Sequence, residues 1–462
     1  MLLLLAALAC DKSEPPTSTL VETWPATDST PSGSDDTEAT GTTDTSTGAT
    51  DDTSTGGTTD TQPTDTTDTT DTVDTAPPPG ELLIEQIKTD GSEIGEAALI
   101  IGPDGTTVLI DVADAIDAPK VLEAIDHHLA ERQIDWVILT HYHSDHVGGF
   151  ASLFEPSEAN GGDPIAVTNA VIHRGPFDLD RRGVHVDQYE EACTLLTSDA
   201  WEPARMELCD GKERGSCDLM GAGGPWPVSS CDGVFKGDLV DPSDDGEGNI
   251  TSIDLGEGAT LALFLVNGYL NVEGEPVNSS EGGAPIGYTT IGDENARSIG
   301  GFVSHGHFRY VFGGDIPGET PNIEGFIVDN GASIKLPDGT PALPEGSVDI
   351  LQANHHGFRF ATNQAWIDWL APLDGQTRNM IFGSSFEHDG APDQGVLDRA
   401  AENLGGGWLW VTQLGRGAGE HEQVRCRDRA VVVETADGGD SYLMYDRLAD
   451  EKGEILSFDS TR

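Results

Sequence analysis

Apolar residues recur in two rhythms along this chain, and both begin at Glu81. Leu82-Leu83-Ile84 opens the pattern, and Ala97 to Ile101 and Val108 to Ile110 flank Pro103-Asp104-Gly105, which predicts a β-hairpin with a tight turn. Val121, Ile125 and Leu129 stand four apart between Ala118 and Arg132, which predicts a helix carrying His127 and His128 on its solvated side. Trp136 to Leu139 reads as a strand, and a helix begins between Val147 and Phe154. Ala166-Val167 and Val171-Ile172 form another strand, which ends at His173-Arg174. The second half repeats the habit. Ile253 with Ala259 to Val266, Ile299 to Val303, Phe308 to Phe312, Val348 to Ala353 and Met380 to Ser385 read as strands. Gln364 to Leu370 and Gly395 to Leu404 read as helices. Arg429 to Thr435 and Ser441 to Met444 form a closing hairpin around Asp437-Gly438. Strands and helices alternating in two β-rich halves place the chain in the α/β class.

Composition divides the chain before that pattern begins. Residues 1–10 end in an apolar run before Cys10, too short to span a bilayer. They look like the end of a signal peptide, and Ala9-Cys10 resembles a bacterial lipoprotein processing site. The expectation is an exported, membrane-anchored lipoprotein, periplasmic or at the cell surface, with a lipid anchor at Cys10. Residues 11–80 are rich in Thr, Asp, Ser, Gly and Pro, with fifteen acids and one base, and cannot bury a core. They predict a disordered, self-repelling spacer. The whole chain carries −57, so −43 remains outside the spacer. That acidity disfavours long nucleic acid as a partner and is compatible with a small-molecule substrate. Residues 81–462 form the globular domain. Within it, residues 187–245 read as an insertion: Tyr189 to Leu196 looks helical, then comes a Gly-, Asp- and Cys-rich stretch. Cys193, Cys209, Cys217, Cys231 and Cys426 allow up to two disulfides in an exported protein, in pairings the spacing leaves open.

The chemistry concentrates in Thr140-His141-Tyr142-His143-Ser144-Asp145-His146-Val147-Gly148-Gly149. Imidazole nitrogen and carboxylate oxygen suit Zn, Mn or Fe at a catalytic site. Extended backbone at a strand end puts His141 and His143 on one face, able to close on one metal, while Asp145 and His146 start the next turn and can face a second. The apolar strand Phe308 to Phe312 runs into Gly313-Gly314-Asp315, where glycine lets the backbone turn sharply enough to present a carboxylate. Val348 to Ala353 leads into Asn354-His355-His356-Gly357, and Ser384-Ser385 is followed by His388 and Pro392. His173 ends a strand and reads equally as a further ligand or a loop histidine, with Arg174 beside it as a possible anion contact. His305 and His307 sit in a hairpin, expected far from the metals.

The HxHxDH pattern resembles that of the metallo-β-lactamase superfamily. The order of strand-Asp111, HxHxDH, Glu294-Asn295-Ala296-Arg297-Ser298, Gly-Gly-Asp, His-His-Gly, Ser-Ser with a nearby His and Pro, and a final hairpin is similar to the hydrolase domain of the ComEC DNA-uptake protein and its stand-alone relatives. Three departures stand out: His388 is offset from the usual His-Pro pair, Phe358 replaces the common Ser, and the segment from His173 to Asp315 is long. The resemblance implies a four-layer αββα sandwich and two divalent ions, Zn with Mn or Fe as alternatives. It implies His141, His143, Asp145, His146, His173 and Asp315 as metal ligands, with one of His355 and His356 on the second ion. Asp315 would bridge the ions, and Asp111 would support their ligands from behind. Asp145, Asp315, His356 and His388 would carry catalysis, with a histidine protonating the leaving group. The expected activity is metal-dependent hydrolysis, of a phosphodiester first and of a lactone, lactam or ester as the alternative. A surface module that kept the fold without activity is the remaining possibility.

Overall fold

The computed structural model describes residues 80–89, 95–174, 192, 194–195, 204–207, 252–266, 268–272, 275–278, 294–331, 343 and 345–461. The segment 1–10, the spacer up to residue 79 and nearly all of the insertion at 187–245 lie outside these residues. Within the insertion, Ala192, Thr194 and Leu195 are helical.

The first apolar runs become β1 (Leu83–Gln86), β2 (Ala98–Ile101), β3 (Thr107–Ile110), β4 (Gln133–Leu139), β5 (Ala166–His173) and β6 (Ala204–Glu207). β1 to β3 form an antiparallel meander, and β3 to β6 run parallel. The second sheet holds β7 (Ser252–Gly256), β8 (Ala259–Val266), β9 (Tyr269–Val272), β10 (Glu275–Asn278), β11 (Gly300–His305), β12 (Phe308–Phe312), β13 (Ile350–Gln352), β14 (Asn379–Phe382), β15 (Leu409–Val411) and β16 (Val424–Cys426). Its order is β10-β9-β8-β11-β12-β13-β14-β15-β16 with β7 on β8, and β12 to β16 are parallel. The chain then returns to the first sheet with β17 (Ala430–Ala436), β18 (Ser441–Leu448), β19 (Glu451–Lys452) and β20 (Leu456–Asp459). β17 pairs with β1, giving the order β19-β18-β17-β1-β2-β3-β4-β5-β6 with β20 on β18.

Period-two alternation sorts the side chains of the first sheet. Ile84, Ile100, Ile110, Ile138 and Ile172 share one core with Leu261, Leu263, Tyr310 and Met380 of the second sheet. Leu83, Leu99, Leu109, Val137 and Val171 pack on the other side against α1 (Ala118–His128), together with Phe150 of α3 (Phe150–Phe154), which follows the single turn α2 (Ser144–Val147). α4 (Ile323–Asn330), α5 (Gln364–Leu370) and α6 (Gln394–Asn403) join the second sheet through Phe326, Trp366 and Leu397. The layers are therefore helix, sheet, sheet, helix, as expected. Each such aliphatic side chain, fully buried, stabilises the fold by about 1.5–3 kcal/mol.

Several local expectations are corrected. α1 stops at His128 because Leu129 is extended and β4 begins at Gln133. His128 is buried and not solvated: its Nε2 lies 2.7 Å from Glu85 Oε2. The helix expected from Val147 is broken at Gly148-Gly149; a Cβ on Gly149 would sit 2.3 Å from the Val112 carbonyl oxygen, so the loop after β3 packs directly on this break. α4 was not anticipated, although Ile323, Phe326 and Ile327 hold helical spacing. Cys426 is disulfide-bonded, and every possible partner lies outside the described residues. Among the described residues, no helix is long and apolar enough to cross a membrane.

Candidate metal centre

The parallel blocks of the two sheets deliver their strand ends to one place. Asp111 follows β3, Thr140-His141 follows β4, Gly313-Gly314-Asp315 follows β12 and Asn354-His355-His356 follows β13. Ligand sites in α/β sheets form at such carboxyl ends. The seam is stitched by backbone: Ile299 N donates to Thr140 O at 3.0 Å, and His355 N to Gly314 O at 3.0 Å. Gly314 has φ +55 and lies where a Cβ would be 2.8 Å from Thr140 Oγ1, so glycine is required for this approach. His355 and His356 both adopt left-handed backbone, at φ +51 and +55, which turns their rings inward.

Hydrogen-bond partners fix which ring nitrogens face the centre. The Asp111 carboxylate accepts from His146 Nδ1 at 2.7 Å, so the His146 Nε2 lone pair points inward. Thr140 Oγ1 donates to Asp111 at 2.7 Å and therefore accepts from His141 Nδ1 at 3.1 Å, which frees His141 Nε2. His356 Nδ1 donates to the Gly383 carbonyl at 2.7 Å, which frees its Nε2. Asp111 thus takes the supporting place implied by the resemblance.

Around these nitrogens, Asp315 divides its two oxygens. Oδ2 lies 3.6 Å from His141 Nε2 and 3.4 Å from His355 Nε2. Oδ1 lies 3.2 Å from His146 Nε2 and 3.7 Å from His356 Nε2. His143 Nδ1 is 3.0 Å from His141 Nε2, and Asp145 Oδ2 is 3.2 Å from His356 Nε2. Three groupings of ligand atoms lie close enough to hold an ion: His141, His143 and Asp315; Glu96, His146, His356 and Asp315; and Asp145, His356 and His388. Asp145 Oδ2 also lies 3.7 Å from His146 Nε2 and 3.2 Å from His356 Nε2. The fit has independent support, since His146 Nε2 and Asp315 Oδ1 are buried with no hydrogen-bond partner. Buried polar atoms are rarely left so, and a cation satisfies both. Electrostatics agree. Burial opposes charge on His146 and His356, yet the surrounding carboxylates hold both well above the usual imidazole range. His141 is held well below that range by burial and by the charge on His146.

His388 is placed differently. Its Nδ1 accepts a hydrogen bond from Ser385 N at 3.0 Å, and a backbone N–H can only donate. The neutral ring therefore carries its proton on Nε2, 4.0 Å from Asp145 Oδ2. Burial and the neighbouring His356, stacked at 4.0 Å between ring centroids, hold His388 well below the usual imidazole range. Asp145 and His388 have ligand atoms close enough to share an ion with His356, but this tautomer makes His388 a hydrogen-bond donor.

Two expectations are not met at the centre. His173, at the end of β5, belongs to none of the ligand groups among the described residues; its Nδ1 is 2.8 Å from Tyr142 Oη. Arg174 is committed to Glu294 through bonds of 2.6 and 2.7 Å and lies over the Tyr142 ring at 4.2 Å, so it is a structural ion pair and not an anion contact. His305 bonds Thr435 and His307 bonds Asp440, both away from the ligand groups. Glu96 was missed, its one signal being a lone acid at the mouth of an apolar strand. Thr140 and Asn295 stand in motifs read from the sequence but were given no role there; the Asn295 amide lies 3.2 Å from His355 Nδ1.

Residues 93–183, which include the HxHxDH segment, match the family profile described as Metallo-beta-lactamase superfamily. No curated protein matches the chain. Among solved structures, a Cronobacter sakazakii metallo-β-lactamase with a HARLDQ motif is 14% identical, with 49% of this chain and 54% of that one covered and a TM-score of 0.23. The chain therefore spans about half the length of that structure. A subclass B3 metallo-β-lactamase from a soil metagenome library is 12% identical, with 58% and 75% covered and a TM-score of 0.24. A long-form RNase Z from yeast is 8% identical, with 83% and 50% covered and a TM-score of 0.33. Weight therefore falls on the matched segment, the sheet architecture and the chain's own residues. Over residues 93–183 the chain is thus similar to the metallo-β-lactamase superfamily, whose members are generally metal-dependent hydrolases.

Proposed function

We propose that this chain is a hydrolase using two divalent ions, most simply Zn, with Mn or Fe as alternatives, and that it cleaves a small phosphodiester. The carrying observation is Asp315, whose two oxygens face two separate sets of nitrogens. Bound ions would supply Lewis-acid charge to the substrate and make water nucleophilic at neutral pH. His141, His143 and Asp315 would hold one ion, and Asp145, His146, His356 and Asp315 the other. His356 rather than His355 belongs to the second, since its Nε2 meets both Asp145 and Asp315. His355, with Asn295 beside it and 14% exposed, lies at the edge, placed to hydrogen-bond substrate. His388 presents its Nε2 proton towards Asp145 and would donate it to the leaving oxygen.

The order of motifs shared with the ComEC-type hydrolases supports phosphodiester chemistry, and the acidic chain supports a small substrate. Full-length protein purified without added metal is expected to hold close to two equivalents of metal, fewer in Asp315→Ala. It should cleave bis(p-nitrophenyl) phosphate, and Asp145→Ala should abolish this. Turnover of nitrocefin or a lactone without phosphodiester cleavage would favour the carboxylic alternative. No metal after reconstitution would leave the non-catalytic module. Lipid anchoring belongs to the same proposal: labelled palmitate should enter the wild type and not Cys10→Ser.

A further inference from the structure

Glu96 enters β2 from the loop before it and is 3% exposed. Its backbone fixes it to the first sheet. The N–H donates to Asp145 O at 2.8 Å, and the carbonyl accepts from Ala113 N at 3.0 Å. Its side chain crosses to the second sheet. Oε1 accepts from Gln352 Nε2 at the end of β13, and Oε2 lies 3.1 Å from His356 Nδ1. A Cβ on residue 383 would stand 2.8 Å from Glu96 Oε1, so Gly383 is what admits the carboxylate.

Glu96 also lies within ligand-sharing distance of His146, Asp315 and His356, which raises the reading that it binds an ion directly. The ring of His356 decides against this. Its Nδ1 is bonded to Gly383 O and faces Glu96, whereas its Nε2 faces Asp145 and Asp315. Glu96 therefore meets the imidazole from behind. We propose that Glu96 is the positioning residue of His356, its carboxylate standing 3.1 Å from Nδ1 beside the Gly383 carbonyl that takes the Nδ1 proton. A carboxylate behind a ligating imidazole fixes its orientation and strengthens its inward nitrogen. The position formed by Asp145, His146, His356 and Asp315 Oδ1 then has two carboxylates behind it. Across the centre, His141 is backed by the Thr140 hydroxyl. The inference rests on the two-metal reading and adds an order to it: the His356 side fills first.

The test is zinc titration of the full chain against a competing chelator, in wild type, Glu96→Gln, Glu96→Ala and Asp315→Ala, with crystal structures of the metal-free proteins. The wild type should bind in two steps. Glu96→Ala should weaken the tighter step by about 10- to 100-fold and leave the weaker one unchanged, with Glu96→Gln between. Wild-type affinities in Glu96→Ala would overturn the proposal, as would a zinc-loaded structure with a Glu96 oxygen at about 2.0–2.2 Å from the ion. Should the wild type bind no zinc, the two-metal reading falls, and the metal-free Glu96→Ala structure still decides this one. A His356 ring turned from Asp145 and Asp315 supports it, and an unmoved ring overturns it. If Glu96→Ala does not fold, the isosteric Glu96→Gln carries both measurements.

Discussion

Asp111→Asn removes one charge while keeping the shape of the side chain. Asparagine tolerates left-handed backbone, so the φ of +56 at this position adds no new strain. The wild-type carboxylate accepts three bonds of 2.7 Å, from Thr140 N, Thr140 Oγ1 and His146 Nδ1. An amide can keep only its oxygen as acceptor. With that oxygen on Thr140 N, the NH2 group confronts His146 Nδ1–H, and the clash is relieved when His146 moves its proton to Nε2. The inward nitrogen then becomes a donor and can no longer hold an ion. Losing a hydrogen bond to a charged group costs about 1.5–3 kcal/mol. The supporting partners of metal-ligating histidines carry about 10- to 100-fold of metal affinity, or about 1.4–2.8 kcal/mol. Zinc titration against a chelator should therefore show a 10- to 100-fold loss at one site, with circular dichroism unchanged. Zinc affinity within twofold of wild type, in a folded variant, would refute the argument that Asp111 sets the His146 tautomer.

Three further outcomes follow from the geometry. Burial alone would raise Glu85, but hydrogen bonds from His128 and Arg447 bring it down to about 2 from its ordinary 4.5. Its ionised form therefore contributes about 3 kcal/mol that is present above pH ~4.5 and lost as pH falls towards 2. Glu85→Gln should destabilise the fold at pH 7 by about 3–5 kcal/mol, with the deficit in urea melts narrowing below pH ~4.5; a pH-independent deficit would contradict the ion pair. His388→Gln should slow cleavage of phosphodiesters with alkyl leaving groups by about 10²- to 10⁴-fold while slowing p-nitrophenyl esters far less. Equal losses on both would remove His388 as the acid. Arg174→Met strands Glu294 in the core and should lower stability by about 3–5 kcal/mol without changing metal stoichiometry; a folded, fully stable variant with raised KM would restore Arg174 as a substrate contact.

What the chain reveals unaided follows from distance along it. His141, His143, Asp145 and His146 lie within six residues, so strand-end geometry alone predicts that they converge. Asp315 and His356 were legible because each follows an apolar strand at a turn. Glu96 and His356 are 260 residues apart, and Glu85 meets Arg447 across 362 positions; no local spacing announces such pairs. The same cause explains His128. A histidine near a helix end reads as solvated until its partner is placed, and Glu85 belongs to β1, with β2 and β3 between it and α1. His173 read equally as a ligand or a loop histidine. A strand-ending histidine is a common ligand position, but this one joins none of the ligand groups among the described residues.

The pairing of β1 with β17 ties the order of synthesis to the integrity of the first sheet. Leu83 meets Glu434, so β1 waits for a strand made about 350 residues later. Until then β1 is an open edge whose residues, Leu-Ile-Glu-Gln, are all buried in the finished protein. An unpaired buried-type edge is a template for association with other chains. Folding dominated by such long-range pairing is slow. A chain that must cross a membrane before folding would meet this hazard only after release, when both strands are present together. A nascent chain folding as it is made would carry it through more than three hundred residues of elongation.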